Sequence, residues 1–490
     1  MENLKYVGTR DKNITATASQ AILKGICDDG GLYIPEKMPK LEKSLEELSK
    51  LDYRKLAYEI LKLFLTDYTD DELKACIKGA YDEKFDTPEI APVVKRADVS
   101  ILELFHGKTI AFKDMALSIL PYLMKTAARK NGIDKEIVIL TATSGDTGKA
   151  ALEGFANVDG IRIIVFFPED GVSPVQKLQM VTQEGKNTCV VGIKGNFDDA
   201  QTAVKTIFTD KALSDELSTK GFIFSSANSI NIGRLLPQVV YYFQGYLRMA
   251  ESGEIKLGDE INVVVPTGNF GNILAGYFAK LLGLPVKTFV CASNMNNILT
   301  DFFNTGVYDK NRPFNVTMSP SMDILISSNL ERLLCLSTSQ EKTKALMQSL
   351  SKDGKYTLDL TDGIIKGEFA TEEETASAIK QMYEKTGYVM DTHTAVAYAS
   401  YEKYKAKTGD NTPALLVSTA SPYKFTKDVL ISIDKKYADM DFFPLMKELE
   451  KISGVKIPAP IAGIENRPVL HKAVIEKEEI KEFVKNQLIK

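Results

Sequence analysis

Apolar and polar positions alternate along this chain in two different rhythms. Through the first hundred residues the rhythm is helical. Leu45, Leu48, Leu51, Leu56, Ile60, Leu61 and Leu63 recur at intervals of three and four, and a further helix is expected after Thr69, with Asp70, Asp71 and Glu72 in its first turn. A shorter helix is expected through Ser19, Ala21, Ile22 and Leu23, ending near Gly25, with a turn from Asp28 to Gly31. From about Val99 to Gly245 short apolar runs alternate with helical segments: Ile137 to Leu140, Ile161 to Phe167, Cys189 to Ile193 and Phe222 to Phe224. The alternation returns with Ile261 to Val265, Val286 to Ala292 and Ala414 to Ser418. Strands alternating with helices predict an α/β fold with a parallel sheet, which binds ligands at the carboxyl ends of its strands.

Length and composition narrow the picture further. A chain of 490 residues exceeds one ordinary core, and the length prior is about three domains. The pattern divides it into a helical N-terminal part (1–95), two α/β parts (96–245 and 246–425) and a charged C-terminal extension (426–490) expected to consist of helices and loops. A net charge of -4 supplies no basic field for nucleic acid, and no run approaches the roughly eighteen apolar residues of a membrane span. A small-molecule substrate is therefore expected, with neither nucleic acid nor membrane as partner. Cys27, Cys76, Cys189, Cys291 and Cys335 are scattered without zinc spacing, no secretory leader is read at the N-terminus, and only three histidines occur, so no metal site is expected. A cytoplasmic location fits these features.

Three stretches carry candidate chemistry. In the first, Lys113 stands between Phe112 and Asp114 at the mouth of a helical run; partial burial beside apolar groups favours the neutral amine, which can form a Schiff base. A surface lysine opening a helix would look the same. In the second, Ser144, Gly145, Asp146 and Thr147 follow the apolar run ending at Leu140. Two residues separate Gly145 from Gly148 and alanine follows Lys149, so this is not a nucleotide-binding P-loop. In the third, Gly268, Asn269, Phe270, Gly271 and Asn272 follow Val263 to Pro266. Glycine turns that open helices hold phosphate through free amide groups, although a plain strand-to-helix turn also fits both stretches.

Together these stretches resemble those of the threonine synthases, pyridoxal-phosphate enzymes of the tryptophan-synthase-β type (fold type II). The family's lysine motif reads His-Gly-Pro-Thr-x-Ala-Phe-Lys-Asp, its serine loop Thr-Ala-Thr-Ser-Gly-Asp-Thr-Gly and its phosphate loop Gly-Asn-Phe-Gly; all three occur here in order. The likeness extends from about Tyr6, through Asp28 to Glu36, to Ser418-Thr419-Ala420 and Phe425. Lys108 replaces the family's usual proline, and Ser421 stands where a histidine usually precedes Pro422.

The resemblance implies two mostly parallel α/β domains with helices on both faces, a helical N-terminal subdomain and a C-terminal extension. It implies a lyase that converts O-phospho-L-homoserine and water to L-threonine and phosphate, the last step of threonine biosynthesis. Lys113 would carry pyridoxal 5'-phosphate, with Asp146 at the ring oxygen and Gly268, Asn269, Phe270, Gly271 and Asn272 around its phosphate. Thr419, chosen over Ser418, would meet the pyridine nitrogen. Ser144, Gly145 and Thr147 would hold the substrate carboxylate, and Asn228, Asn231 and Arg234 its phosphate, since arginine grips phosphate bidentately. Structural roles, including an internal salt bridge for Arg234, fit those last three equally well. A monomer or homodimer is expected. A dehydratase acting on serine or threonine would use the same lysine and loop without a second phosphate site, and a cofactor-free binding protein of the same fold is the rival from another class.

Overall fold

The computed structural model describes residues 3–143, 145–169, 172, 174–360 and 363–489. Two parallel sheets organise them. The larger has six strands in the order Ile365–Phe369, Val286–Ser293, Ile261–Pro266, Ala414–Ser418, Val99–Glu103 and Val93–Arg96, parallel throughout except for the antiparallel pairing of the last two. The smaller has five parallel strands in the order Ala473–Glu476, Thr188–Lys194, Ile161–Pro168, Glu136–Ala142 and Phe222–Ser225.

Strands with consecutive apolar residues form the centre of these sheets because both faces are covered. Val263 and Val265 join one buried cluster while Val264 between them joins another, and Ile137 and Ile139 face away from Val138 and Leu140 in the same manner. Successive side chains point to opposite faces of a strand, so a strand covered on both sides is apolar at consecutive positions instead of at alternate ones.

The expected division differs from the observed one in two places. Residues 93–103 join the larger sheet, where Ser100 lies opposite Leu415, although the chain reaches that sheet's other strands only beyond residue 260. The C-terminal extension contributes the strand Ala473–Glu476, which pairs with Val191 to Lys194 at the edge of the smaller sheet. Ala473, Val474 and Glu476 are exposed, so this strand is held mainly by its backbone ladder, with Ile475 packed against the buried cluster. The single helical pattern expected from Leu45 to Leu63 is two helices, Leu45–Ser49 and Tyr53–Phe64, because Asp52 caps the second by accepting from the Lys55 amide.

The N-terminal part packs helix Tyr53–Phe64 against the twenty-residue helix Ile232–Glu251, which in turn lies against helix Gly271–Leu281. Among the described residues no helix is long and apolar enough to cross a membrane, and no group of three or more His, Cys, Asp or Glu residues is arranged to hold a metal ion.

Candidate active site

Strand ends of both sheets converge on Lys113. The segment before it is laced to the chain that leaves Ala414–Ser418: the Phe112 amide donates to the Thr419 carbonyl at 2.8 Å, the Ser421 amide donates to the Ile110 carbonyl at 3.0 Å, and Ala111 pairs with Ala420. Lys113 caps the short helix Asp114–Leu117 with 12% of its side chain exposed. Asp114 locks the turn by accepting from the Thr109 amide (2.8 Å) and hydroxyl (2.6 Å), and burial raises its carboxyl to about 6.

Facing Lys113 is Asp146, the first residue of helix Asp146–Phe155. The Lys113 Nζ lies 3.9 Å from its Oδ2, while its Oδ1 receives Lys424 Nζ at 2.9 Å and Gln176 Nε2 at 3.0 Å. Burial opposes charge on Asp146, yet Lys424 and Lys113 with the Gln176 hydrogen bond hold it well below the usual carboxylate range. For Lys113 the balance runs the other way. Burial lowers its pKa, Asp146 resists, and the charges of Lys424 and Arg234 lower it further. The amine is thus biased towards its neutral, nucleophilic form.

Gly145, which precedes Asp146, has φ 142°, and a Cβ there would meet the Gln176 side chain at 2.5 Å. Its amide and that of Gly148 both donate to the Thr143 hydroxyl. Thr147 is half-buried in the first turn of the same helix, and Ser144 lies outside the described residues.

The stretch Gly268 to Asn272 joins strand Ile261–Pro266 to helix Gly271–Leu281. A Cβ on Gly268 would stand 2.5 Å from the Ser321 carbonyl oxygen, so only glycine lets the loop pass this close. Phe270 adopts a left-handed conformation, and its ring stacks on Phe303, so whatever it offers a ligand comes from its backbone. The Asn272 Oδ1 accepts from Tyr241 and Tyr242, each at 2.6 Å, while its buried Nδ2 has no partner among the described residues. A helix N-terminus, a glycine that a Cβ would obstruct and a buried amide donor without a partner are the features that fit a phosphate group.

The two hydroxyls at the end of strand Ala414–Ser418 have different surroundings. Ser418 Oγ lies 2.8 Å from Thr394 Oγ1, which itself hydrogen-bonds Asp391; the Thr419 hydroxyl makes no hydrogen bond to the described residues. Nearby, His393 Nδ1–H donates to Asp391 at 2.9 Å and its Nε2 accepts from the Ser321 amide at 3.1 Å, which positions the segment beside Gly268. His106 sits further out, between Asp86 (2.6 Å) and Glu103 (3.1 Å).

The expected phosphate residues near position 230 divide. Asn228 is exposed. Asn231 is fully buried as the cap of helix Ile232–Glu251, with its Nδ2 donating to the Ile22 and Ser226 carbonyls and its Oδ1 accepting from the Gly233 amide. Arg234 is also buried, donates from Nη1 to the Ala227 carbonyl at 2.7 Å, and has an unpartnered Nε. Among the described residues it forms no ion pair, and burial lowers its pKa to about 10.

Sequence reading assigned no role to Lys424, Gln176 or Thr109. Lys424 is 1% exposed and ties Asp146 to the Thr109 carbonyl (3.0 Å), so it touches both the helix opening at Asp146 and the lysine turn. Its only local signal is a lysine enclosed by Tyr423 and Phe425.

Known proteins resemble the chain along most of its length. A family model described as threonine synthase N terminus matches residues 5–81, and one described as pyridoxal-phosphate dependent enzyme matches residues 95–420. Threonine synthase of Saccharomyces cerevisiae is 36% identical, over 92% of this chain and 93% of its own. Human threonine synthase-like 1 is 37% identical over 96% of this chain, which spans only 63% of that relative's length. Among solved structures, pyridoxal-phosphate-bound threonine synthase from Brucella melitensis superposes with a TM-score of 0.87 at 33% identity, covering 100% of both chains. The yeast threonine synthase structure gives 0.89 at 33% identity, covering 99% of this chain and 98% of that one.

Proposed function

Since the chain belongs to the threonine synthase family of pyridoxal-phosphate-dependent enzymes, we infer that it converts O-phospho-L-homoserine and water to L-threonine and phosphate. Arg234 carries this reading. A buried guanidinium without a carboxylate partner among the described residues is costly unless an anion completes it, and the effect of its charge on Lys113 supports a substrate anion near that lysine. A serine or threonine dehydratase has one phosphate to hold, that of the cofactor. A phosphorylated amino acid brings a second.

The residues present fit pyridoxal phosphate. Lys113 would hold its aldehyde carbon, the amides of Gly268 to Asn272 its phosphate, and the free hydroxyl of Thr419 its ring nitrogen. When bound, the cofactor supplies a conjugated ring that accepts the electron pair left when a proton departs from the substrate's α-carbon.

The chain's own groups do the remaining work. Lys113, kept towards the neutral amine by burial, takes a proton first from Cα and then from Cβ, so that phosphate can leave Cγ, and returns the two protons at Cγ and Cα. Asp146 is pinned by Lys424 and Gln176, so it stays ionised beside Lys113 and restrains the downward shift of that amine. Thr147, in the first turn of helix Asp146–Phe155, offers its amide group to the substrate carboxylate, while the Gly145 amide is taken by the Thr143 hydroxyl and shapes the turn. Arg234 binds the substrate phosphate and receives it as the leaving anion from Cγ, after which water adds at Cβ. Plain homoserine would leave the guanidinium unpaired, which makes the phosphate pocket a specificity filter.

The test is the visible spectrum of the protein with pyridoxal phosphate, wild type against Lys113→Ala, followed by phosphate and threonine assays with O-phosphohomoserine. The expected result is a cofactor band lost in the variant, and phosphate and threonine released together by the wild type. Consumption of serine or threonine with no phosphate release would overturn the substrate assignment.

A further inference from the structure

The helical N-terminal part supplies none of the groups assigned above to the ligands, yet a single side chain connects it to both phosphate-binding segments. Arg332 is fully buried in helix Leu330–Ser337. Its Nε donates to the carbonyl of Tyr33 (2.8 Å), in the N-terminal strand Tyr33–Pro35, and its Nη2 donates to the carbonyl of Ile230 (2.5 Å). Ile230 immediately precedes Asn231, which caps the helix carrying Arg234. The remaining nitrogen, Nη1, donates to Asn329 Oδ1. Asn329 is fully buried as well and passes the connection on, because its backbone amide and its Nδ2 both donate to the Asn269 carbonyl at 3.0 Å.

All three acceptors of Arg332 are uncharged oxygens. The planar guanidinium fixes the directions of its donors relative to one another, so three acceptors held by it are held in a fixed mutual arrangement. A lysine ammonium has three donors at a single point and cannot span the same separation. The neighbouring Glu331 provides a contrast on the same helix. It grips Arg10 (2.9 and 2.7 Å) and Thr9 (2.6 Å), and so anchors the N-terminal part without touching either loop.

We propose that Arg332 is a positioning residue that sets the Gly268 to Asn272 loop and the segment leading to Arg234 at their working separation, with the N-terminal subdomain as the fixed support. This rests on the roles given above to those two segments. It makes the N-terminal subdomain part of the binding apparatus through Tyr33, although it contributes no group to the ligands. Loosening Arg332 frees both loops together, whereas loosening Asn329 frees only the cofactor loop.

The experiment uses the full chain and reads pyridoxal phosphate dissociation by its visible band, KM and kcat for O-phosphohomoserine, and the thermal midpoint. Arg332→Met is expected to weaken both cofactor affinity and KM by about tenfold or more, the factor that follows from losing a hydrogen bond from a charged donor. Arg332→Lys recovers part of this loss, and carries the same reading if the methionine variant does not fold. Asn329→Ala weakens cofactor affinity more than KM. Glu331→Gln lowers the thermal midpoint and leaves cofactor affinity and KM within about twofold, because it loses only anchoring. The proposal is overturned if the Arg332 variants lower the midpoint as Glu331→Gln does while affinity and KM stay at the wild-type values. A wild type that neither binds pyridoxal phosphate nor releases phosphate overturns the functional reading and this proposal together; a wild type that does both, with indifferent Arg332 variants, overturns this proposal alone.

Discussion

Replacing Lys424 with methionine keeps most of the side chain's length and removes its charge. The substitution deletes the 2.9 Å ion pair with Asp146 and the 3.0 Å hydrogen bond to the Thr109 carbonyl, both in a site from which water is excluded. At an effective permittivity of about 20, unit charges at this distance attract by ~6 kcal/mol, and removal of one partner of a buried pair has a net cost of about 3–5 kcal/mol. Gln176 remains at 3.0 Å and Lys113 at 3.9 Å, but burial disposes Lys113 towards neutrality, so it compensates only in part. A loss of about 3 kcal/mol is expected near neutral pH.

The pH dependence separates this mechanism from simple loss of packing. In the wild type the Asp146 pKa is depressed by folding, so its contribution is present above the unfolded carboxylate value and lost only as pH falls through the depressed folded value. Without Lys424, burial dominates and raises the folded value. The group then favours the folded state below the unfolded value and ceases to do so as pH rises through the folded one. The gap between wild type and Lys424→Met therefore widens from pH 5 to pH 8. Urea unfolding of the cofactor-free protein at those two pH values measures it, with Asp146→Asn and the double variant completing a mutant cycle. If Lys424→Met has the same cost in the Asp146→Asn background and at both pH values, the charge-pair reasoning is wrong.

Three further outcomes are expected. Burial alone would lower the His106 pKa, but its bonds to Asp86 and Glu103 outweigh this and raise it to about 9. With only three histidines in the chain, proton NMR of the ring resonances should show one titrating near that value; one that titrates near 6.5 would refute it. Its stabilising contribution is fully present below the ordinary histidine value and is lost as pH rises through about 9. Because Asp86 is largely exposed, this amounts to about 2 kcal/mol, and His106→Gln should flatten the stability profile across that window. Gly268→Ala places a methyl 2.5 Å from a backbone oxygen and should raise the pyridoxal phosphate dissociation constant by about tenfold, and also lower the thermal midpoint of the cofactor-free protein, since overpacking costs about 1–3 kcal/mol. Ser418→Ala should lower stability by about 1 kcal/mol and leave the cofactor band in place, since its hydroxyl is engaged with Thr394, whereas Thr419→Val should alter the band and kcat with little effect on stability.

Much of this protein is local in its sequence. Apolar runs such as Ile137 to Leu140 are strands because a segment apolar at every position can be satisfied only between two covering layers. Thr69 with Glu72 forms a reciprocal helix cap that can be read from four residues. Lys113 at a helix mouth, the turn at Gly145 and the loop at Gly268 are likewise contiguous patterns, because backbone geometry and a helix N-terminus are short-range properties.

What required the tertiary structure was everything that depends on partners distant along the chain. Strand Val99–Glu103 belongs with Ala414–Ser418, and strand Ala473–Glu476 with Thr188–Lys194; parallel pairing places no constraint on sequence separation. The family resemblance favours Thr419 over Ser418, but only the fold supplies a physical difference, by bringing Thr394 to 2.8 Å from Ser418. Asn231 and Arg234 both suit phosphate by sequence, and the fold uses one amide to cap a helix while giving the guanidinium no carboxylate among the described residues. Lys424 lies 278 residues after Asp146 (424 minus 146) and acquires its role only where the chain ends of two sheets meet. Periodicity and turn chemistry are written within a few residues, so the sequence alone determined the elements and the presence of the lysine and glycine loops; charge pairing and hydrogen-bond allocation are settled by distance in space, so the tertiary structure alone decided which side chains the site can use.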